Sequence, residues 1–152
     1  MGIVIRQMGA ADRPVWAGMR ASPWPDETPQ QHAAGIDQLL KDGEAWGFAA
    51  ETPAGAAVGF AEIGIRKYAN GCDSRPVAFL EGIWVSEEFR RRGIGAQLVS
   101  HIESFLTVRG FHELGSDTPL DNGASQSAHV GWGFSETERV VYFRKLLRSP
   151  AR

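Results

Sequence analysis

The chain has 152 residues, of which 43% are hydrophobic and 22% charged, with a formal net charge of −2. These values are typical of one globular domain with a hydrophobic core, here residues 1–152. The near-neutral charge excludes the basic coat that general nucleic-acid binding requires. No apolar run approaches the roughly 20 residues of a membrane-spanning helix, and the first apolar stretch is too short for a signal peptide. We therefore expect a cytoplasmic protein that binds neither nucleic acid nor membrane.

The hydrophobic pattern predicts strands and helices that follow one another along the whole chain. The strands are expected at residues 3–6, 46–51, 57–66, 77–85, 113–117 and 139–146. The helices are expected after an N-cap at Asp12, then at residues 30–42, about 96–108 and 122–130. This order predicts one α+β domain built on a mixed sheet. The single cysteine, Cys72, has no partner for a disulfide or a metal-binding cysteine pair, and we predict no metal site.

The most informative stretch joins the apolar strand 77–85 to the helix that follows it. Between them stands Arg90-Arg91-Arg92-Gly93-Ile94-Gly95. Glycines lack a Cβ atom and allow the backbone to approach a phosphate, while the first amides of a helix are unpaired and carry partial positive charge. Three arginines add full charges at the same place. The sequence therefore predicts an anion cradle suited to a pyrophosphate.

Two markers in this order resemble the GCN5-related N-acetyltransferase (GNAT) superfamily. They are Arg90-x-x-Gly93-x-Gly95 after an apolar strand and Gly133-Phe134 before the last predicted strand. The resemblance implies a single-domain GNAT fold, in which a mostly antiparallel sheet contains a splayed parallel pair, here strands 77–85 and 113–117. It also implies acetyl-CoA as the acetyl donor. The residues expected to bind it are Ile83, Trp84, Val85, Arg90, Arg91, Arg92, Gly93, Ile94, Gly95, Ala96 and Asn122.

Four further blocks are similar to the aminoglycoside 6′-N-acetyltransferases, and among them to the chromosomally encoded subgroup of Gram-negative bacteria. The blocks lie at residues 68–77, 79–83, 116–118 and 136–140. This resemblance implies transfer of acetyl from acetyl-CoA to the 6′-amine of an aminoglycoside by direct attack in a ternary complex, and hence antibiotic resistance. It also implies a homodimer that shares its active site across the interface.

The resemblance assigns catalytic roles to Glu81 and Asp117, and substrate contacts to these two residues together with Trp24, Tyr68 and Glu138. Glu81 interrupts an apolar strand, where a carboxylate needs a partner or a function unless it faces solvent. Alternatives remain open for the others. Asp117 could form an Asx turn, Glu138 could pair with Arg139 or Arg144 on the surface, and the two aromatic residues could be ordinary contacts of core or loop.

A protonated amine must lose a proton before it attacks a thioester. Glu81 is the expected base and Asp117 the residue that positions the amine. The superfamily resemblance places a strand bulge, with a freed amide for the developing oxyanion, near Val85. The acid that protonates the leaving thiolate stays open between His129, Tyr142 and none. Asn122 either holds the pantetheine arm or acts as a simple N-cap.

Two other functions are consistent with the same sequence features. A related acetyltransferase could modify a polyamine, an amino sugar or a peptide with the same acetyl-CoA cradle. A non-catalytic CoA-binding sensor would keep the cradle and transfer no acetyl group.

Overall fold

The computed structural model describes residues 2–150. Its strands are β1 (Val4–Gln7), β2 (Ala45–Glu51), β3 (Ala57–Arg66), β4 (Val77–Val85) and β5 (Leu114–Gly115). Its helices are α1 (Arg13–Arg20), α2 (Pro29–Lys41), α3 (Ile94–Val108) and α4 (Gly123–Gly131), and short 3-10 turns occupy Ala10–Asp12 and Glu87–Phe89. Nothing helical between residues 2 and 150 is long and apolar enough to cross a membrane.

The five strands form one sheet in the order β1-β2-β3-β4-β5. Every neighbouring pair is antiparallel except β4 and β5, which are parallel and are joined by the crossover helix α3. The parallel pairing covers only Ala78 with Leu114 and Phe79 with Gly115. Because β4 continues to Val85, the two strands diverge after these pairs. The predicted mixed sheet with a splayed parallel pair is confirmed.

Helices cover both faces of the sheet. The apolar side of α3 places Leu98, Ile102 and Leu106 on one face, against Phe48 and Leu80 among others. On the opposite face, α1 and α2 place Trp16 and Ile36 against Phe60. The start of α2 is fixed locally, because the Thr28 side chain accepts a hydrogen bond from the Gln31 amide and Pro29 occupies the first helical position.

A buried carboxylate attaches α1 to the sheet. Glu62 of β3 is 3% exposed. It accepts hydrogen bonds from Trp16 Nε1 at 2.8 Å, Arg20 Nε at 2.7 Å and Arg20 Nη2 at 3.1 Å. Arg20 Nη1 also donates to the His32 carbonyl of α2 at 3.2 Å. A buried charge requires such partners, and these fix both helices relative to β3.

Two predictions at the C-terminal side of the chain are wrong. The strand expected at 139–146 is absent, since residues 134–150 form neither helix nor strand and lie exposed from residue 135 onward. A strand needs a hydrogen-bonding neighbour, and in this single chain the segment has none, however favourable its Val140, Val141, Tyr142 and Phe143 are for β structure. The strand expected at 113–117 is only two residues long and leaves Asp117 in the loop that follows it.

Candidate active site

A β-bulge positions Glu81. Glu62 of β3 pairs with Gly82 and the next residue, Ile63, pairs with Leu80, so Glu81 is the extra residue of β4. Pairing is regular from Gly82 to Val85. The bulge expected near Val85 therefore lies at Glu81. It gives Glu81 and Gly82 a common direction, toward the sheet face that α1 covers.

Glu81 forms a two-pronged ion pair with Arg66, the last residue of β3. Arg66 Nε lies 3.0 Å from Oε2 and Arg66 Nη2 lies 2.6 Å from Oε1. The guanidinium carbon also lies 3.6 Å above the centre of the Phe79 ring. The side chains of Arg66 and Glu81 are 42% and 35% exposed, respectively. The carboxylate within the apolar strand thus has a partner and remains accessible from solvent.

The charge of Asp117 acts on the same guanidinium. The pKa of Arg66 is raised above its ordinary value, first by the hydrogen bond to Glu81 and in smaller part by the charges of Glu81, Asp117 and Tyr142, while burial opposes the shift. Arg66 therefore binds Glu81 directly and is also influenced by the charge of Asp117. No sequence pattern indicated Arg66, because its contact with Glu81 depends on the bulge.

His129 is held by hydrogen bonds to Ser125 and to Ser116, the residue before Asp117. Its Nδ1 lies 2.7 Å from the Ser125 carbonyl, which can only accept, so this contact assigns the proton of the neutral ring to Nδ1. Its Nε2 lies 2.7 Å from Ser116 Oγ and accepts from that hydroxyl in this tautomer. Ser116 immediately precedes Asp117, so His129 fixes the start of the loop that carries the carboxylate.

Of the predicted aromatic contacts, Trp24 lies next to the bulge and Tyr68 lies in the loop after β3. The Trp24 ring is held between Phe60, at a centroid distance of 6.1 Å, and the Arg20 guanidinium, at 4.8 Å, and it lies over Gly82. Tyr68 is 62% exposed, with Arg75 5.8 Å from its ring.

Glu138 is exposed in the C-terminal segment, and Arg139 bonds Glu136 instead of Glu138. The alternative in which Glu138 pairs with Arg139 is therefore not formed, because Arg139 pairs with Glu136.

The loop after β3 is attached to the start of β5 by Glu113. Its carboxylate accepts backbone hydrogen bonds from Ser74 at 2.7 Å and from Asp73 at 3.0 Å. These bonds lower the pKa of Glu113 below its ordinary value, with Ser74 the larger cause. The clamp fixes the loop that carries Tyr68, and no sequence motif indicated it.

The turn that is predicted to bind an anion lies at the start of α3. Gly93 has φ +77°, a left-handed conformation that favours glycine, and its Cβ position has no heavy atom within 4 Å. The helix has no side-chain cap, so its first amides are free to bind an anion. Gly95 has a different role, because a Cβ there would come within 2.8 Å of Trp132. The shape and donors of this turn fit a phosphate.

The three arginines of the cradle differ in their contacts with the rest of the chain. Arg90 Nε donates to the Val85 carbonyl at 3.0 Å, and Arg92 lies 5.0 Å from the Phe89 ring. Arg91 is exposed and has φ +63°. The Arg91 guanidinium and the backbone amides of this turn therefore face solvent. They make neither a hydrogen bond like that of Arg90 nor a ring contact like that of Arg92.

The remaining residues predicted to bind acetyl-CoA lie on β4 and at the starts of α3 and α4. Ile83, Trp84 and Val85 lie on the part of β4 that extends past β5. Ala96 is exposed on the first turn of α3, whereas the Ile94 side chain is buried in the core, so only its backbone can reach a ligand. Asn122 caps α4, accepting from the Ser125 amide at 3.0 Å, which is the simpler of its two expected roles.

A mixed sheet whose parallel pair opens beside an anion-binding helix start is the architecture of an acetyl-CoA-dependent acyltransferase. The family model for the acetyltransferase (GNAT) family matches residues 11–134. The chain belongs to this family.

Curated relatives and solved structures narrow the similarity. Aminoglycoside N(6′)-acetyltransferase type 1 of Klebsiella aerogenes is 44% identical over 147 residues, covering 95% of this chain and 97% of that protein. The protein of the same name from Salmonella typhimurium is 42% identical over 142 residues, covering 93% and 97%. The structure of AAC(6′)-Iy in complex with the bisubstrate analog CoA-S-monomethyl-acetylneamine is 40% identical, has a TM-score of 0.90, and covers 97% of this chain and 100% of that chain.

Proposed function

We propose that this chain is an aminoglycoside 6′-N-acetyltransferase that moves acetyl from acetyl-CoA directly to the 6′-amine. The observation that carries the proposal is the accessible carboxylate of Glu81 on the bulge of β4, close to where β4 and β5 diverge, with Asp117 in the loop that follows β5. A site for a polycationic sugar must supply such carboxylates, and a peptide amine does not require them. The relatives that are 40–44% identical and carry this activity in their names support the same substrate.

In this proposal the chain's own residues position the amine and remove its proton. Asp117 binds the ammonium, Glu81 accepts the proton directly or through a water, and Trp24, Tyr68 and Glu138 contact the sugar rings and their other amines. Acetyl-CoA supplies the activated acetyl group and is held by the cradle and the exposed end of β4. A thiolate is a tolerable leaving group, so the reaction does not depend on a dedicated acid. The acetyltransferase domain comprises residues 1–152, and its cosubstrate favours a cytoplasmic location.

The test is the release of CoA thiol by the purified protein with two sets of amines. One set holds kanamycin and tobramycin, which carry a 6′-amine, beside paromomycin, which carries a 6′-hydroxyl. The other holds polyamines and short peptides. Release with the first two compounds alone supports the proposal. Release with the second set alone indicates an acetyltransferase for another amine, and no release with any compound indicates a CoA-binding sensor.

We also propose that the enzyme is a homodimer in which the C-terminal segment of each copy packs on the other. This segment exposes a series of large apolar residues: Val141 67%, Tyr142 76%, Phe143 92%, Leu146 78% and Leu147 88%. Exposed apolar residues in a β-forming segment indicate a partner surface. The outer edge of β5, which ends the sheet among the described residues, is an available place for it.

Sedimentation or light scattering tests the dimer. We expect a dimer for the unaltered chain and a monomer, or a much weaker dimer, for Phe143→Glu. Val108→Glu is the matched control, because Val108 is 85% exposed at the end of α3 and outside the segment. A monomeric unaltered chain, or equal effects of the two substitutions, would contradict the proposal.

A further inference from the structure

Arg66 binds the carboxylate that the proposed reaction requires for the substrate amine. Its guanidinium donates to both oxygens of Glu81, at 3.0 and 2.6 Å. The reacting ammonium also needs Glu81, because this carboxylate is the proposed base. The guanidinium and the ammonium therefore compete for the same anion.

The hydrogen bonds of the pair occupy the expected base. While Arg66 is bound to Glu81, both oxygens of that carboxylate accept hydrogen bonds from the guanidinium. The amine can use Glu81 fully only when Arg66 has released it.

The pair between Arg66 and Glu81 is accessible enough to open. Its side chains are 42% and 35% exposed, whereas those of the second arginine–glutamate pair, Arg20 and Glu62, are 11% and 4% exposed. Exposed ion pairs are weak and exchange with solutes, while buried pairs are held by the cost of leaving a charge unpaired. Arg66 also ends its strand, and its long side chain can turn toward solvent without disturbing the sheet.

We propose that Arg66 is the resident cation of the amine subsite, and that the reacting ammonium of the substrate displaces it from Glu81. The inference rests on the proposed function. It gives the site a means of selecting an amine over a hydroxyl at the reacting position, because an uncharged hydroxyl cannot replace a guanidinium. It also leaves Glu81 neutralised until the amine arrives.

The test is the dissociation constant of tobramycin and of paromomycin, measured by calorimetry with the CoA-saturated full chain and its Arg66→Gln variant. Removing Arg66 removes the competitor, so we expect tobramycin to bind roughly two- to fivefold more tightly. We expect a smaller change for paromomycin, whose 6′-hydroxyl does not compete with Arg66. Lys67→Gln is the matched control, since it removes one exposed positive charge from the next residue and must affect both compounds alike.

Two further variants separate displacement from a structural effect. In a Glu81→Gln background, Arg66→Gln should no longer favour tobramycin over paromomycin. Arg66→Lys keeps the charge, loses the two-pronged geometry, and should show a smaller gain than Arg66→Gln; it replaces the glutamine variant if that one fails to fold. Weaker tobramycin binding by these variants, or equal changes for both compounds, would overturn the inference. Absence of tobramycin turnover by the unaltered enzyme would instead contradict the proposed function.

Discussion

The indole ring of Trp24 rests on the backbone of Gly82, where a Cβ atom would come within 2.5 Å of the ring. Gly82 follows the bulged Glu81, so this contact determines how close the Trp24 ring lies to the proposed base. The absence of a side chain at Gly82 therefore defines one dimension of the proposed substrate site.

Substituting Gly82 tests this dimension. We expect Gly82→Ala to displace Trp24, raise KM for tobramycin by roughly tenfold, and leave KM for acetyl-CoA within about twofold. Steady-state kinetics with each substrate varied in turn measure both values. Gly18→Ala in α1 is the control, because its Cβ position has nothing within 4 Å. It should change neither KM and should stabilise the helix by about 0.5–1 kcal/mol.

A substitution at Gly93 in the cradle should weaken the binding of the cosubstrate and not that of the aminoglycoside. Gly93→Ala forces a residue with a Cβ into φ +77° and should cost about 1–2 kcal/mol of stability and weaken CoA binding at least several-fold. Gly110, at the other end of α3, has φ +88° and equally open surroundings. Gly110→Ala should cost similar stability and leave the Kd for CoA unchanged. Calorimetry and urea unfolding of both variants make the comparison, and equal losses of CoA affinity would refute a role for Gly93 in binding.

The buried pair of Arg20 and Glu62 predicts a large stability effect. Arg20→Met leaves Glu62 without its main partner and should lower the free energy of unfolding by about 3–5 kcal/mol. Arg13→Met breaks an ion pair with Asp37 that is exposed, and should cost less than about 1 kcal/mol. Urea unfolding curves report both. Similar losses in the two variants would mean that burial does not distinguish these pairs.

Glu113 predicts a pH-dependent contribution to stability. Its folded-state pKa lies below the ordinary value of 4.5, so the stabilisation is fully present above that value and is lost as the pH falls through the folded-state pKa. Glu113→Gln should therefore be less stable than the unaltered chain at pH 7. The difference should narrow as the pH is lowered below about 4. Thermal unfolding at a series of pH values measures it, and a difference that grows on acidification has the wrong sign for this account.

Substitutions of the two proposed catalytic carboxylates should change different kinetic constants. Glu81→Gln removes the base and should lower kcat by roughly a hundredfold or more while CoA binding is retained. Asp117→Asn weakens the attraction for the ammonium and should act mostly on KM for the aminoglycoside. The two kinetic constants, measured for each variant, separate the roles. Full activity of either variant would remove the role assigned to that residue.

The central part of the sheet was predictable because its signals are local. Strands β3 and β4 begin and end as predicted, since continuous apolar runs are bounded by loops with glycine, proline or charged residues. The turn at Gly93 was predictable for the same reason. A glycine between a basic run and an amphipathic helix is a short-range pattern.

What depends on distant partners was not predictable. The segment 139–146 has strand-forming residues, but strand formation requires a neighbour that this chain does not provide by itself. The bulge at Glu81 is defined by its pairing with β3, and the contact with Arg66 exists only because of the bulge. The backbone clamp by Glu113 joins residues about 40 positions apart, and no pattern within β5 indicates it.

The most direct test of the account is the position of the acetyl group on tobramycin after incubation with acetyl-CoA and the purified protein. Mass spectrometry counts the groups added, and two-dimensional NMR identifies the acetylated nitrogen. We expect one acetyl group, on the 6′-nitrogen. A product acetylated at another amine, or tobramycin recovered unchanged while acetyl-CoA binds normally, would contradict it.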